Sequence, residues 1–185
     1  MPDQREDGVH REDQIVPSVG DGVFEDFVGH AWERLREVLP EDPSLPFRGL
    51  PATASTTLGT YRDYTVDAMV DGDLSTMYWS DGPPEVDDEV RVELEEPHLI
   101  AFARVQMAQS DASVGDQIYA GVLELSADGN SWSQIAETDG KPVLDVTLPE
   151  PIEARYGRIR VTGSNPGDEW VQIREFGLSE TAPTR

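Results

Sequence analysis

Thirteen residues, Ala68-Met69-Val70-Asp71-Gly72-Asp73-Leu74-Ser75-Thr76-Met77-Tyr78-Trp79-Ser80, gather the groups of this chain best suited to bind something. A turn, two carboxylates and a hydroxyl lie within six positions, followed by two adjacent aromatics. Oxygens at such spacing suit a hard cation, because Ca²⁺ takes six to eight oxygen ligands from carboxylates, hydroxyls and main-chain carbonyls. The other reading is a plain Asp-Gly turn with Asp73 in solvent. The stretch is not an EF-hand, since Gly72 follows the first Asp directly instead of standing at loop position six. Tyr78 and Trp79 are neighbours, and on a strand neighbours point to opposite faces. One therefore enters the core while the other faces out. An exposed indole is a platform for the apolar face of a sugar ring, and a buried one is simply core.

Polar and aromatic side chains recur in three further stretches with loop texture. They are Tyr61, Arg62 and Tyr64 in the first, Gln109, Ser110, Asp111 and Asp116 in a long polar second, and Asn165 with Trp170 in the third. A sugar site pairs an aromatic platform with a few aimed polar groups, and these loops hold both. Catalysis finds no comparable support. With 37 of 185 residues Asp or Glu, carboxylate pairs arise by chance and carry little information. His10, His30 and His98 share no metal-ligand spacing, and there is no cysteine, no nucleophile elbow and no phosphate-cradling glycine loop.

The 37 acids face 14 Lys+Arg, a net charge of −23, and Lys141 is the only lysine. A field of that sign repels phosphate backbones and anionic headgroups, so neither nucleic acid nor a membrane surface is an expected partner. Solubility explains the acidity simply; adaptation to high salt is the sharper alternative. No apolar run is long enough for a membrane span, and no signal-peptide h-region is expected in the N-terminal stretch.

The elements that must position these residues can be read from pattern. Residues 1–22 are acidic and poor in core formers, a disordered tail. Phe24, Phe27, Val28, Ala31, Trp32, Leu35, Val38 and Leu39 recur at three- and four-residue spacing and predict an amphipathic helix over 23–39. It either packs on the domain C-terminal to it or is the last helix of a neighbouring domain, the reading we favour. Pro40, Pro43, Pro46 and Pro51 make 40–51 a stiff extended linker. From residue 52 the texture is β. Short apolar runs alternate with Asp-Gly turns at 71–72, 81–82, 128–129 and 139–140. Strands are predicted at 52–58, 90–94, 99–107, 121–126, 132–136, 143–148, 156–161 and 170–178. The fold class is therefore all-β, an eight-stranded antiparallel sandwich of jelly-roll type over 52–180, with 181–185 a short tail. Trp132, Tyr156 and Phe176 are expected in its core.

Four segments taken in order resemble the discoidin-like domains, which include the C domains of coagulation factors five and eight and the bacterial family 32 carbohydrate-binding modules. They are 68–73 with 76–80; Val122-Leu123-Glu124-Leu125-Ser126-Ala127-Asp128-Gly129-Asn130-Ser131-Trp132; Ala154-Arg155-Tyr156-Gly157-Arg158-Ile159-Arg160; and Trp170-Val171-Gln172-Ile173-Arg174-Glu175-Phe176. The vertebrate branch usually carries a disulfide, so the absence of cysteine is similar to the bacterial branch. The wording is similar to modules attached to family 84 β-N-acetylglucosaminidases and hyaluronidase-like enzymes, where a helical segment can precede the module.

The resemblance implies a structural calcium ion held by the carbonyl of Ala68, the side chains of Asp71, Asp73 and Thr76, the carbonyl of Arg174 and the carboxylate of Glu175. It places the core aromatic at Tyr78 and a ligand-facing position at Trp79. Galactose-binding relatives use an Arg with a nearby Asn where this chain has Gln109 and the residues after it, which leaves an N-acetylhexosamine or another sugar open beside galactose. The expectation is a non-catalytic, monomeric, extracellular or cell-surface module that binds terminal glycan sugars and targets a covalently linked glycoside hydrolase. The alternative is a discoidin-like protein–protein or domain-packing module without a sugar site.

Overall fold

The computed structural model describes residues 47–108 and 115–183. The tail at 1–22, the helix at 23–39 and the linker up to residue 46 lie outside the described residues. Seven antiparallel strands make up the described part: β1 Ala52–Thr56, β2 Tyr78–Trp79, β3 Glu89–Met107, β4 Gly121–Ser126, β5 Ser133–Glu137, β6 Val143–Val161 and β7 Gln172–Ser179. Hydrogen bonding runs β2-β7-β3-β6-β4-β5, with β1 on β3.

Eight strands are expected and seven are found: four predicted strands fuse into two, and the two-residue β2, which no predicted strand covers, is added. Val90–Leu94 and Leu99–Met107 are halves of β3, while 143–148 and 156–161 are halves of β6. Prolines mark both joins. Leu94 to Pro97 stand opposite Arg155 alone, and Leu148 to Pro151 stand opposite Ala101 alone. Proline cannot donate to a ladder, so strands accept it at such bulges, where the chain also bends. The bends fold the sheet into two layers. One holds β1, residues 89–94, residues 156–161, β4 and β5; the other holds β2, β7, residues 102–107 and residues 143–147. Only the two nineteen-residue strands belong to both.

The core lies between the layers. Val90, Val92, Leu94, Leu123, Leu125 and Ile159 face Ile100, Val105, Met107, Ile173, Phe176 and Leu178, all at most 1% exposed. Gly157 is where the layers close most tightly. A β-carbon there would meet both methyl carbons of Leu178 at 3.2 Å and Val92 Cγ2 at 3.4 Å.

Two expected core aromatics sit elsewhere. Phe176 is buried, but Trp132 and Tyr156 are half-buried. In β6 the core face belongs to Gly157, Ile159 and Val161, so Tyr156, Arg158 and Arg160 point outward. Arginines cover the two rings there. Arg158 Cζ lies 3.9 Å from the Trp132 centroid and Arg91 Cζ 4.4 Å from that of Tyr156. Arg158 also bridges Glu89 at 2.9 Å and Glu124 at 2.8 Å. The stems and flat heads of arginine cover an aromatic while the charge reaches an acid, an option a hydrophobicity pattern does not reveal.

The C-terminal end of the expected linker joins the folded unit. Leu50 N–H donates to Leu178 O at 2.8 Å, and the Phe47 ring packs edge-on against Phe102 with centroids 5.1 Å apart. Two glycines allow this. A β-carbon on Gly177 would stand 2.5 Å from Phe47 Cε1 and 3.0 Å from Gly49 Cα. Gly177→Val is expected to lower stability by about 1–3 kcal/mol, the usual range for overpacking, in urea unfolding. An unchanged midpoint would show that residues 47–49 do not press on β7.

At the β4–β5 turn, Asp128 accepts hydrogen bonds from the main-chain N–H groups of Asn130 and Ser131, both at 2.8 Å. These bonds hold its carboxyl down at about 2. A carboxyl depressed in the folded state adds stability above its unfolded pKa and loses it as pH falls through the folded value. The stability gap between the native chain and Asp128→Ala is expected at about pH 5–7 and should close as pH drops from about 4 towards 2. A gap independent of pH would show that these bonds do not favour the ionised form.

Candidate functional site

The two-residue strand β2 settles the orientation of the Tyr-Trp pair. Tyr78 is opposite Ile173 and Trp79 opposite Gln172. Tyr78 and Ile173 are both fully buried, so Trp79 and Gln172 share the other face. Tyr78 donates its hydroxyl hydrogen to Gly59 O at 2.5 Å, and burial pushes its pKa up to about 12. Ser80 fastens the next position. Its N–H donates to Val171 O and its Oγ accepts from Val171 N–H, each at 2.9 Å.

Trp79 does not stand alone as a platform. Its ring is half-buried among three others. Centroid distances are 5.0 Å to Tyr61, 5.5 Å to Tyr64 and 5.8 Å to Trp170, all edge-to-face, and Tyr61 lies 5.2 Å from Trp170. Aromatic quadrupoles favour this herringbone arrangement over face-to-face stacking. Arg62, in the left-handed region at φ 50°, sets its guanidinium 4.7 Å from the Tyr61 centroid. Tyr61 N–H donates to Trp79 O at 2.9 Å, which ties the first loop to β2. The structure thus brings together Tyr61, Arg62, Tyr64, Trp79 and Trp170, residues far apart in sequence, into one aromatic patch.

Polar groups adjoin this patch along β7. Gln172, 2% exposed, donates from Nε2 to Asp116 Oδ2 at 2.9 Å. Asp116 is held above the usual carboxylate range, first by burial and then by the negative charge of Glu169. Tyr119 is likewise pushed up by burial and by Glu169. Three buried polar atoms here have no hydrogen-bond partner among the described residues: Trp79 Nε1, Gln172 Oε1 and Glu169 Oε2. Sequence pattern does not single out Glu169, Gln172 or Tyr119. One more acid or amide carries no signal in so acidic a chain, and only the β2–β7 register reveals that Gln172 stands beside Trp79.

Asn165 has another task. It is 5% exposed, donates from Nδ2 to Gln117 O at 2.6 Å and to Glu169 O at 3.0 Å, and accepts from Tyr119 N–H at 3.1 Å. These bonds brace the loop before β7 and so position Glu169 and Trp170. Gln109 and Asp111 lie outside the described residues.

The oxygen-rich turn forms a second cluster. Asp71 Oδ2 accepts from Thr76 Oγ1 at 2.7 Å, and Glu175 Oε2 accepts from Gly72 N–H at 3.1 Å. The first loop and the last strand therefore meet, 103 residues apart in sequence. Asp73 differs from expectation. Its carboxylate turns to the N–H and hydroxyl of Ser75, at 2.8 and 2.7 Å, and its main-chain oxygen is the one beside Thr76 Oγ1 at 2.9 Å. Ala68 ends up buried in the short 3-10 turn Val66–Met69, and Arg174 is buried in β7 next to Glu175.

Among the described residues no three His, Cys, Asp or Glu side chains converge to hold a metal. The donor set nevertheless suits a hard cation through mixed oxygens. Glu175 is 2% exposed, and its carboxyl is pushed up to about 7, first by burial and further by Asp71. Negative charge is thus crowded into a dry place. Arg48 offsets part of it, with Nη2 3.4 Å from Asp71 O.

Comparison with known proteins bears on the fold and the family. No curated protein matches the sequence. Among solved structures, CBM32-1 from a family 31 glycoside hydrolase of Clostridium perfringens superposes with a TM-score of 0.59 at 18% identity, over 72% of this chain and 99% of that one. The family 32 module of Clostridium perfringens NanJ, solved with galactose, gives 0.55 at 18% identity, over 69% and 92%. Chitosan-binding module 2 of a Paenibacillus sp. IK-5 chitosanase/glucanase, solved with chitotriose, gives 0.57 at 18%, over 71% and 98%. At these identities the likeness establishes the fold. The F5/8 type C domain model matches residues 51–176, well over half of the sequence, and the chain belongs to that family.

Proposed function

We propose that this domain is a non-catalytic carbohydrate-binding module that holds terminal sugars of glycans on the aromatic patch of Tyr61, Tyr64, Trp79 and Trp170. The observation that carries the reading is the convergence of four half-buried rings from three separate stretches beside unpartnered polar atoms. That is the composition sugar sites use: apolar surface for the ring face and a few polar groups for the hydroxyls. Similar folds have been solved in complex with galactose, chitotriose and GalNAc-β-1,3-galactose, which supports the ligand class. A single sugar buries little surface, so weak affinity at one site is expected, with avidity from a larger parent protein. A linked glycoside hydrolase, such as a β-N-acetylglucosaminidase, acting on extracellular or cell-surface glycans fits that role.

Calcium has a structural part in this proposal. The carboxylates of Asp71 and Glu175, the Thr76 hydroxyl and nearby main-chain oxygens would hold it, neutralising the crowded acids and pinning the first loop to β7. Asp73 would serve through its carbonyl.

Two measurements test these statements. On a glycan array followed by calorimetry, Trp170→Ala and Trp79→Phe are expected to weaken the best sugar about tenfold or more with the circular dichroism spectrum unchanged. Full binding by both variants would leave a packing module without a sugar site as the better account. Removing calcium with excess chelator should lower the melting temperature by roughly 5 °C or more, as expected for loss of a ligand present well above its dissociation constant. An unchanged melting temperature would remove the cation.

A further inference from the structure

The polar side of the aromatic patch is biased in one direction. Glu169 reaches the segment that carries Asp116, since a β-carbon on Gly115 would stand 4.0 Å from Glu169 Oε1, and no ion pair among the described residues includes either acid. Two buried acceptors have no donor among the described residues, Glu169 Oε2 and Gln172 Oε1. Gln172 is 2% exposed, and its amide is fixed against Asp116 at 2.9 Å, so its orphaned oxygen belongs to the same spot. Buried acceptors left unmatched are costly, and natural structures rarely keep them without a partner such as a ligand or an ordered water. Trp79, opposite Gln172 in the β2–β7 register, has a buried Nε1 donor with no acceptor among the described residues.

The chemical complement of this arrangement is a group with several donors and no acceptor, joined to an apolar ring that also bears an oxygen. A hydroxyl offers one donor. An N-acetyl group offers one N–H and brings a carbonyl that would face two carboxylates. A protonated primary amine offers three donors and a positive charge, and hydrogen bonds between such a charge and a carboxylate are the strong kind. Resting on the carbohydrate-binding reading above, we propose that Asp116 and Glu169, backed by Gln172, select a hexosamine unit with a free, protonated amine over its N-acetylated or neutral counterparts. Trp79 and Trp170 carry the sugar ring. The strongly negative chain assists by drawing cationic oligosaccharides towards the site.

The test uses the full chain at neutral pH in calorimetric and NMR titrations. Its probes are the glucosamine trimer, the tri-N-acetylglucosamine trimer, galactose and a lysine trimer. The glucosamine trimer is expected to bind about tenfold or more tightly than the others, with an affinity that falls as salt rises. In Asp116→Asn/Glu169→Gln, which keeps side-chain size, that preference should disappear. Equal or tighter binding of the N-acetylated trimer or of galactose overturns the amine preference and leaves the carbohydrate reading standing. A lysine trimer that binds as well as the amino sugar overturns it too, because the acids then sense charge alone. No binding of any sugar overturns both proposals. A preference that survives in the double variant shows that these acids are not its source.

Discussion

Two residues of β2 lie against β7, and the loop end of the molecule is arranged around that short pairing. Tyr78 faces the core opposite Ile173, and its hydroxyl grips Gly59. With Tyr78 fixed inward, the alternation of a strand leaves Trp79 no choice but the other face. Ser80 extends the grip through two hydrogen bonds with Val171, and Tyr61 adds one to the Trp79 carbonyl. The aromatic patch is thus a by-product of core packing. The same residues that fill the sandwich also hold the rings outside it.

Electrostatics gives the second organising theme. So acidic a chain has few cations, and those in the described part are placed with care. Arg158 serves two acids and the Trp132 ring at once, and Arg48 sits where Asp71 and Glu175 crowd. Asp116 and Glu169 are left out of this arrangement. What sets this pair apart is its place beside the aromatic patch, with Asp116 bonded to the buried Gln172.

Sequence carried most of the fold and part of the site. Alternation at Val90, Val92 and Leu94, and the Asp-Gly turns, were enough for an antiparallel all-β sandwich. Strand count was less legible, because prolines at 97, 149 and 151 look like ends while the chain uses them as bends. The link between Gly72 and Glu175 came through family likeness, since nothing local connects residues 103 apart. Gln172, Glu169 and Tyr119 were invisible, as their placement depends on register across strands. Asn165 and Asp73 are visible as polar residues, but their partners are not. Asp73 turns to Ser75 on its own loop, while Asn165 bonds Glu169 locally and Gln117 and Tyr119 across from it, partners that residue type does not report.

The close approach of Gly49 to Gly177 bears on where this domain can be cut from or joined to another. Family likeness begins at residue 51, yet Phe47 already covers Phe102, and Leu50 already bonds to Leu178. A recombination joint placed at the family boundary would splice off a strap that lines β7, the strand that also bears Gln172 and Glu175. The portable unit is therefore longer than its signature: whatever is fused upstream must leave Phe47 to Leu50 with their own domain.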